Sequence, residues 1–275
     1  TVPLTAADDP SAAEGDPRPA GEPQAQPAAE TETHWYAVFM GGGKIGHVRE
    51  RRTVDDGRVT TETRTRMVIG RGAVQMPVEM HERAVETVAG APISFVHTVN
   101  LSGMARQTRG QLRDGTLHVT TTAGGRTETK TLPWPDGALL AEGQRLATQG
   151  RKLRTGQTFT LKAFDTDGLQ VRRQRARVGT KEPVDLLGRV IELRRIDLNV
   201  AGGGGGLDAV VYVDDDGEEL LMTSAVMGMT LRLVACSREV ARSENQPVDF
   251  YDRLLVAAPA PLENVRSARA ITYTL

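Results

Sequence analysis

The run KIGHVRERRTVDDGRVTTETRTRMVI, residues 44–69, decides the class of fold. Val, Thr and Arg side chains recur there at period two, the spacing of a strand with one packed and one wet face. Asp55–Asp56–Gly57 interrupts the run with hairpin-turn chemistry, because its glycine can take a positive φ. Lys44–Val54 and Arg58–Ile69 are therefore expected to be long antiparallel neighbours.

The same pattern extends outward. His34–Met40 alternates with Trp35, Ala37 and Phe39 on one face and stops at Gly41–Gly42–Gly43. Val74–Val88 and Ile93–Leu101 are separated by Gly90–Ala91–Pro92. Ala105–Leu112 and Thr116–Thr122 flank Asp114–Gly115, and Gly124–Gly125 precedes Arg126–Leu132. Long strands joined by short turns make a meander in which sequential strands pair.

Pro133–Trp134–Pro135–Asp136 breaks this pattern, and Asp136 is placed to cap a helix over residues 136–151. Leu139, Leu140, Gln144, Leu146 and Ala147 recur at helical spacing, while Gly143 weakens the helix by up to ~1 kcal/mol relative to Ala. Strands resume at Thr158–Phe164, Gln170–Val178, Arg189–Val200, Asp208–Val213, Leu220–Val226 and Thr230–Val234, with a loop at Gly202–Gly206. Ser237–Arg242 predicts one helical turn, and Phe250–Val256 and Ala270–Leu275 predict two last extended segments.

These elements predict a mainly β protein: a large curved antiparallel sheet or half-open barrel with one central helix. Aromatics make up only 4% of the chain, which disfavours a sandwich packed on aromatic anchors. Residues 34–275 form one expected domain, with strand-rich halves at 34–132 and 153–275. The helix is the natural lid over the concave face, with Leu139, Leu140 and Leu146 turned towards a ligand. Residues 1–33, rich in Pro, Ala and acidic residues, cannot bury enough apolar surface to offset their ordering entropy and read as a flexible tether.

Charge narrows the function. A net charge of -1 argues against a nucleic-acid partner. No apolar run approaches the ~20 residues of a membrane span. The opening at Thr1 suits a chain from which an initiator and an export signal have been removed.

Catalytic motifs fail one by one. Cys236 is the single cysteine, so no intrachain disulfide can form. All five histidines (His34, His47, His81, His97 and His118) precede it, and it ends an apolar strand, the ordinary place of a small buried hydrophobe. No two histidines have metal-ligand spacing. Asp214–Asp215–Asp216–Gly217 resembles the start of a calcium loop, but the twelfth position is Ala225 and strands flank it, so a hairpin turn is the expected role. Gly41–Gly42–Gly43–Lys44 lacks the earlier glycine and the hydroxyl residue of a phosphate loop. Glu79, Glu82 and Glu86 sit beside Arg83 and Thr87 and read as a wet face.

The order of pieces resembles a known region. Trp35–Phe39, Gly43–Lys44–Ile45–Gly46–His47, Val184–Gly188, Val211–Gly217, Met227–Gly228–Met229, Ser237–Ala241 and Ala270–Leu275 are similar to the β-rich accessory region of bacterial transglutaminase-like proteins. That resemblance implies a catalytic domain beyond residue 275 and carries no catalytic residue onto this chain, since no His follows Cys236. The layout also resembles lipoprotein-carrier (LolA/LolB-like) half-barrels, which hold an acyl chain under a helical lid. The resulting expectation is a non-catalytic periplasmic or extracellular module, tethered through its N-terminal segment and needing no cofactor. Its partners would be a hydrophobic ligand or peptide and a C-terminal catalytic domain. The competing readings are a cysteine hydrolase using Cys236 and a purely structural linker.

Overall fold

The computed structural model describes residues 29–71, 74–201, 207–226 and 228–246. Strands β1 (Glu30–Met40), β2 (Gly43–Asp55), β3 (Arg58–Arg71), β4 (Val74–Thr87), β5 (Pro92–Leu101), β6 (Met104–Arg113), β7 (Thr116–Ala123) and β8 (Arg126–Pro133) form the first half. Helix α1 (Ala141–Gln149) follows. The second half is β9 (Thr158–Asp165), β10 (Gln170–Leu186), β11 (Arg189–Ala201), β12 (Leu207–Val213), β13 (Glu219–Val226) and β14 (Met229–Ala235), ending in α2 (Arg238–Ala241). The segments Phe250–Val256 and Ala270–Leu275 lie outside the described residues.

The hairpin turns follow from their residues. Asp56 and Gly57 sit at φ 46° and 69°, and Asp114 and Gly115 at 47° and 72°. Positive φ at both central positions matches the strand twist, so these turns splay neither hairpin. Asp214 closes its own turn by accepting from the backbone N–H groups of Asp216 and Glu218 at 3.0 and 2.9 Å.

All strands among the described residues join one antiparallel sheet in the order β8-β7-β6-β5-β4-β3-β2-β1-β14-β13-β12-β11-β10-β9. Each neighbour pair is consecutive in the chain except β1 and β14, whose pairing (Tyr36 with Ala235, Met40 with Leu231) puts the first and last strands at the centre. The expected meander and half-open barrel are what the chain forms. The sheet curls until its edges overlap without bonding into a closed barrel. Phe164 of β9 packs on Phe95 of β5 with ring centroids 5.8 Å apart, and on Trp134 at 4.5 Å. His97 of β5 meets Asp167 of the β9–β10 turn at 3.1 Å.

Three boundaries differ from expectation. β1 begins at Glu30, within the expected tether, because Glu30–Thr33 pair with Thr33's partner Arg51 through Val54 of β2. β10 continues to Leu186 because a register shift between Val178 and Lys181 bends the strand without ending it. Its far half then folds over the outer face, where Val184, Leu186 and Leu193 pack on Leu221 and Val234. The helix spans Ala141–Gln149 and not residues 136–151. Asp136 and Gly137 form a turn, and Leu139 bridges to Ala163 of β9. Leu139 N–H donates to the Lys162 carbonyl at 2.8 Å, and Phe164 N–H donates to the Leu139 carbonyl at 2.9 Å. A residue committed to that ladder cannot enter a helix.

Gly143 pays for its low helix propensity by letting α1 approach the β4–β5 turn. A Cβ on Gly90 would stand 2.8 Å from the Gly143 Cα, and one on Gly143 would stand 3.1 Å from the Gly90 carbonyl. No helix among the described residues is long and apolar enough to cross a membrane.

Candidate functional site

Directly paired strand residues point to the same side of a sheet, so the register defines the inner wall rung by rung. His34, Glu50, Thr63, Glu82, His97 and Thr108 form one continuous rung across β1 to β6. Beside it, Tyr36, Val48 and Thr65 form a second rung, and Glu32, Arg52 and Thr61 a third. The opposite wall is apolar from β9 to β12: Phe159, Leu161, Ile196, Val211 and Val213 belong to one packed cluster.

Between these walls and α1 lies a cavity of about 690 Å³. That is within the ~300–1,000 Å³ range of small-molecule sites. Its apolar side includes Phe159, Leu161, Ile196, Leu198, Val211 and Leu233, and its polar side includes His34, Tyr36, Glu50, Thr63 and Glu219. Glu32, Asp216 and Glu218 line the cavity and are exposed, marking where it meets solvent. A hollow of about 710 Å³ lies along the outer face of β10 to β13, where Arg175 and Arg177 are exposed; it is a surface trough on the wet side of those strands.

The helix is fixed over the cavity by two buried carboxylates. Glu86 of β4, 1% exposed, accepts the backbone N–H of Glu142 at 2.6 Å and of Gly143 at 2.9 Å. Burial raises the Glu86 carboxyl above the usual carboxylate range, although the two N–H groups oppose that shift. Glu142, also 1% exposed, receives Arg52 Nε at 2.9 Å and Nη2 at 3.0 Å, and Arg145 Nε at 2.8 Å and Nη2 at 2.6 Å. Burial alone would raise Glu142, but the two guanidiniums outweigh it and hold the carboxyl at about 2. This double fork gives a buried charge the partners it needs.

Deeper in the cavity the carboxylates are raised. Burial and the charge of Glu50 push Glu219 up to about 7. Glu50 is raised by burial and by Glu218, with His34 opposing. Burial and the same carboxylates push Tyr36 well above the usual phenol range, and its hydroxyl donates to the Glu219 carbonyl at 3.3 Å.

The three leucines expected to face a ligand are placed otherwise. Leu140, 2% exposed, is the N-cap residue and packs with Ala84, Phe95 and Leu117. Leu139 packs against the Phe159–Ile196 cluster. Leu146 lies beside the Gly90 turn, where a Gly90 Cβ would meet its Cδ1 at 3.3 Å. The wall that α1 presents to the cavity is Gln144, Arg145, Thr148 and Gln149.

Cys236 follows β14 away from this cavity. Its N–H donates to the Trp35 carbonyl at 2.9 Å, and burial raises its thiol, with the Ala37 N–H and Lys44 opposing. Lys44, 8% exposed, donates to the Ser243 carbonyl at 2.7 Å and Asn245 Oδ1 at 2.8 Å, tying the segment after α2 to β2. Among the described residues no group of His, Cys, Asp or Glu side chains is arranged to hold a metal ion.

No protein-family model matches the chain, and no curated protein matches it. Among solved structures it is similar to the crystal structure of a beta-barrel-like protein of domain of unknown function DUF1849 from Brucella abortus, with a TM-score of 0.54 at 14% identity. The match covers 74% of this chain and 95% of that one. It lends no support to the transglutaminase-like resemblance. At that identity the likeness shows the fold alone, a β-barrel-like antiparallel sheet.

Proposed function

We propose that this chain is a non-catalytic bacterial envelope module that binds a small amphipathic molecule in the cavity between α1 and the curled sheet. The observation that carries this reading is the two-sided wall of that cavity, apolar along β9 to β12 and polar along β1 to β3, with Glu219 at the start of β13 adding to the polar side. A protein that only linked others would gain stability by covering this apolar wall, because apolar surface left facing water costs free energy. The layout also supports the lipoprotein-carrier likeness at the level of architecture: a curved sheet with a helix across its mouth. Placement in the envelope rests on the proline-rich N-terminal sequence.

The test is titration with a neutral, environment-sensitive dye such as Nile red, alongside the variant Thr63→Phe, which places a ring in the cavity. The unmodified chain binds the dye with enhanced emission; the variant keeps its far-UV circular dichroism and loses binding. A folded chain that binds no dye overturns the reading.

A further inference from the structure

Resting on the cavity-binding reading, the structure assigns a charge to the ligand: we propose that the cavity selects an amphipathic amine, its ammonium held by Glu50 and Glu219 and its apolar chain lying along Phe159, Leu161 and Ile196.

The argument is a matching of charges around the wall. Its two guanidiniums are occupied, since Arg52 serves Glu142 and lies 3.7 Å from Glu32, and Arg145 serves Glu142 and Gln149. His34 reaches Glu218 only at 4.0 Å. No side chain among the described residues hydrogen-bonds the Glu50 or Glu219 carboxylate. Glu50 and Glu219 are both half-buried and both line the cavity. Half-buried carboxylates that no protein donor reaches keep acceptor sites that an ammonium can fill with charge-assisted hydrogen bonds. The rim adds Glu32, Asp216 and Glu218, so the entrance carries the same sign as the depth and draws in cations. A carboxylate ligand such as a fatty acid would instead meet like charge along this path. The apolar wall, which begins at Val213 paired with Glu219, sets the other half of the specificity: a chain in place of water.

The experiment compares dodecylamine, dodecanol and dodecanoate as competitors of the dye at neutral pH, below their aggregation limits, on the full chain. Dodecylamine displaces the dye at roughly tenfold or more lower concentration than dodecanol, the scale expected of one charge-assisted hydrogen-bonded contact, and dodecanoate is weakest. Glu50→Gln and Glu219→Gln each shrink the advantage of the amine over the alcohol several-fold while leaving dodecanol unchanged. Equal displacement by amine and alcohol, or an advantage untouched by both substitutions, overturns the assignment and leaves cavity binding standing. Failure of all three competitors with the dye itself unbound overturns the cavity reading instead. Should either variant not fold, the ranking of the three competitors on the unmodified chain still decides.

Discussion

Glu86 caps a helix that begins 55 residues later in the chain: its two carboxylate oxygens accept the N–H groups of Glu142 and Gly143. The first turn of any helix leaves such donors unpaired, and Leu140 at the N-cap has no side-chain oxygen to offer. A carboxylate also suits the positive end of the helix dipole. The cap therefore comes from the sheet, and it fixes α1 to β4 as well as starting it.

Glu86→Gln keeps the shape and replaces one acceptor by a donor facing an N–H group. It should cost about 1–3 kcal/mol of stability, the scale of leaving a buried donor unpaired. Amide exchange over residues 141–149 should quicken more than exchange in β4. Unchanged exchange in α1 would show that the helix is anchored by something else.

The strands were legible because their period and their turns are local properties. Asp55–Asp56–Gly57 and Asp114–Gly115 announce hairpins wherever the rest of the chain goes. The pairing of β1 with β14 was not legible, since it joins residues as distant as Tyr36 and Ala235 and leaves no mark in either strand alone. The carboxylates of β4 carry their placement in their spacing. Glu79, Glu82 and Glu86 look like one wet face, yet Glu79 is of odd parity and the other two are even. Period two puts Glu79 outside, where it pairs with Arg66 at 3.3 Å, and Glu82 and Glu86 inside beside Ala84. The expected start of the helix is lost for a different reason: Leu139 satisfies the helical pattern, but the edge of β9 competes for its backbone and wins.

Arg52 and Glu142 predict a response to acid. Glu142 is held at about 2 against an ordinary 4.5, so its ionised form is favoured by folding. Its contribution is complete above the unfolded value and is lost as pH falls from about 4.5 through about 2. Arg52→Ala leaves Arg145 as the only charged partner of a buried carboxylate, and should destabilise the chain by about 2–4 kcal/mol near neutral pH. The loss should shrink towards pH 2 as the carboxyl protonates. Denaturant titrations at several pH values measure this directly; a cost independent of pH would mean that Arg52 acts through packing alone.

The start of β1 gives the last prediction. Glu30, Thr31, Glu32 and Thr33 pair with Val54, Thr53, Arg52 and Arg51, while β14 reaches only as far as Tyr36. These four residues are therefore held from one side, and all are exposed, so little apolar surface depends on them. Their contribution is a few ladder hydrogen bonds, each worth about 0.5–1.5 kcal/mol net, and the Glu32 carboxylate 3.7 Å from Arg52. Two truncations separate that contribution from anything before it: one beginning at Glu30 and one beginning at His34. The shorter chain should be less stable than the longer by about 1–3 kcal/mol, summed over those bonds. Because Glu32 also lines the cavity mouth, the shorter chain should bind dodecylamine more weakly and dodecanol as before. Equal stability of the two chains would mean that the first rungs of β1 contribute nothing net, the ordering entropy of four residues cancelling their hydrogen bonds.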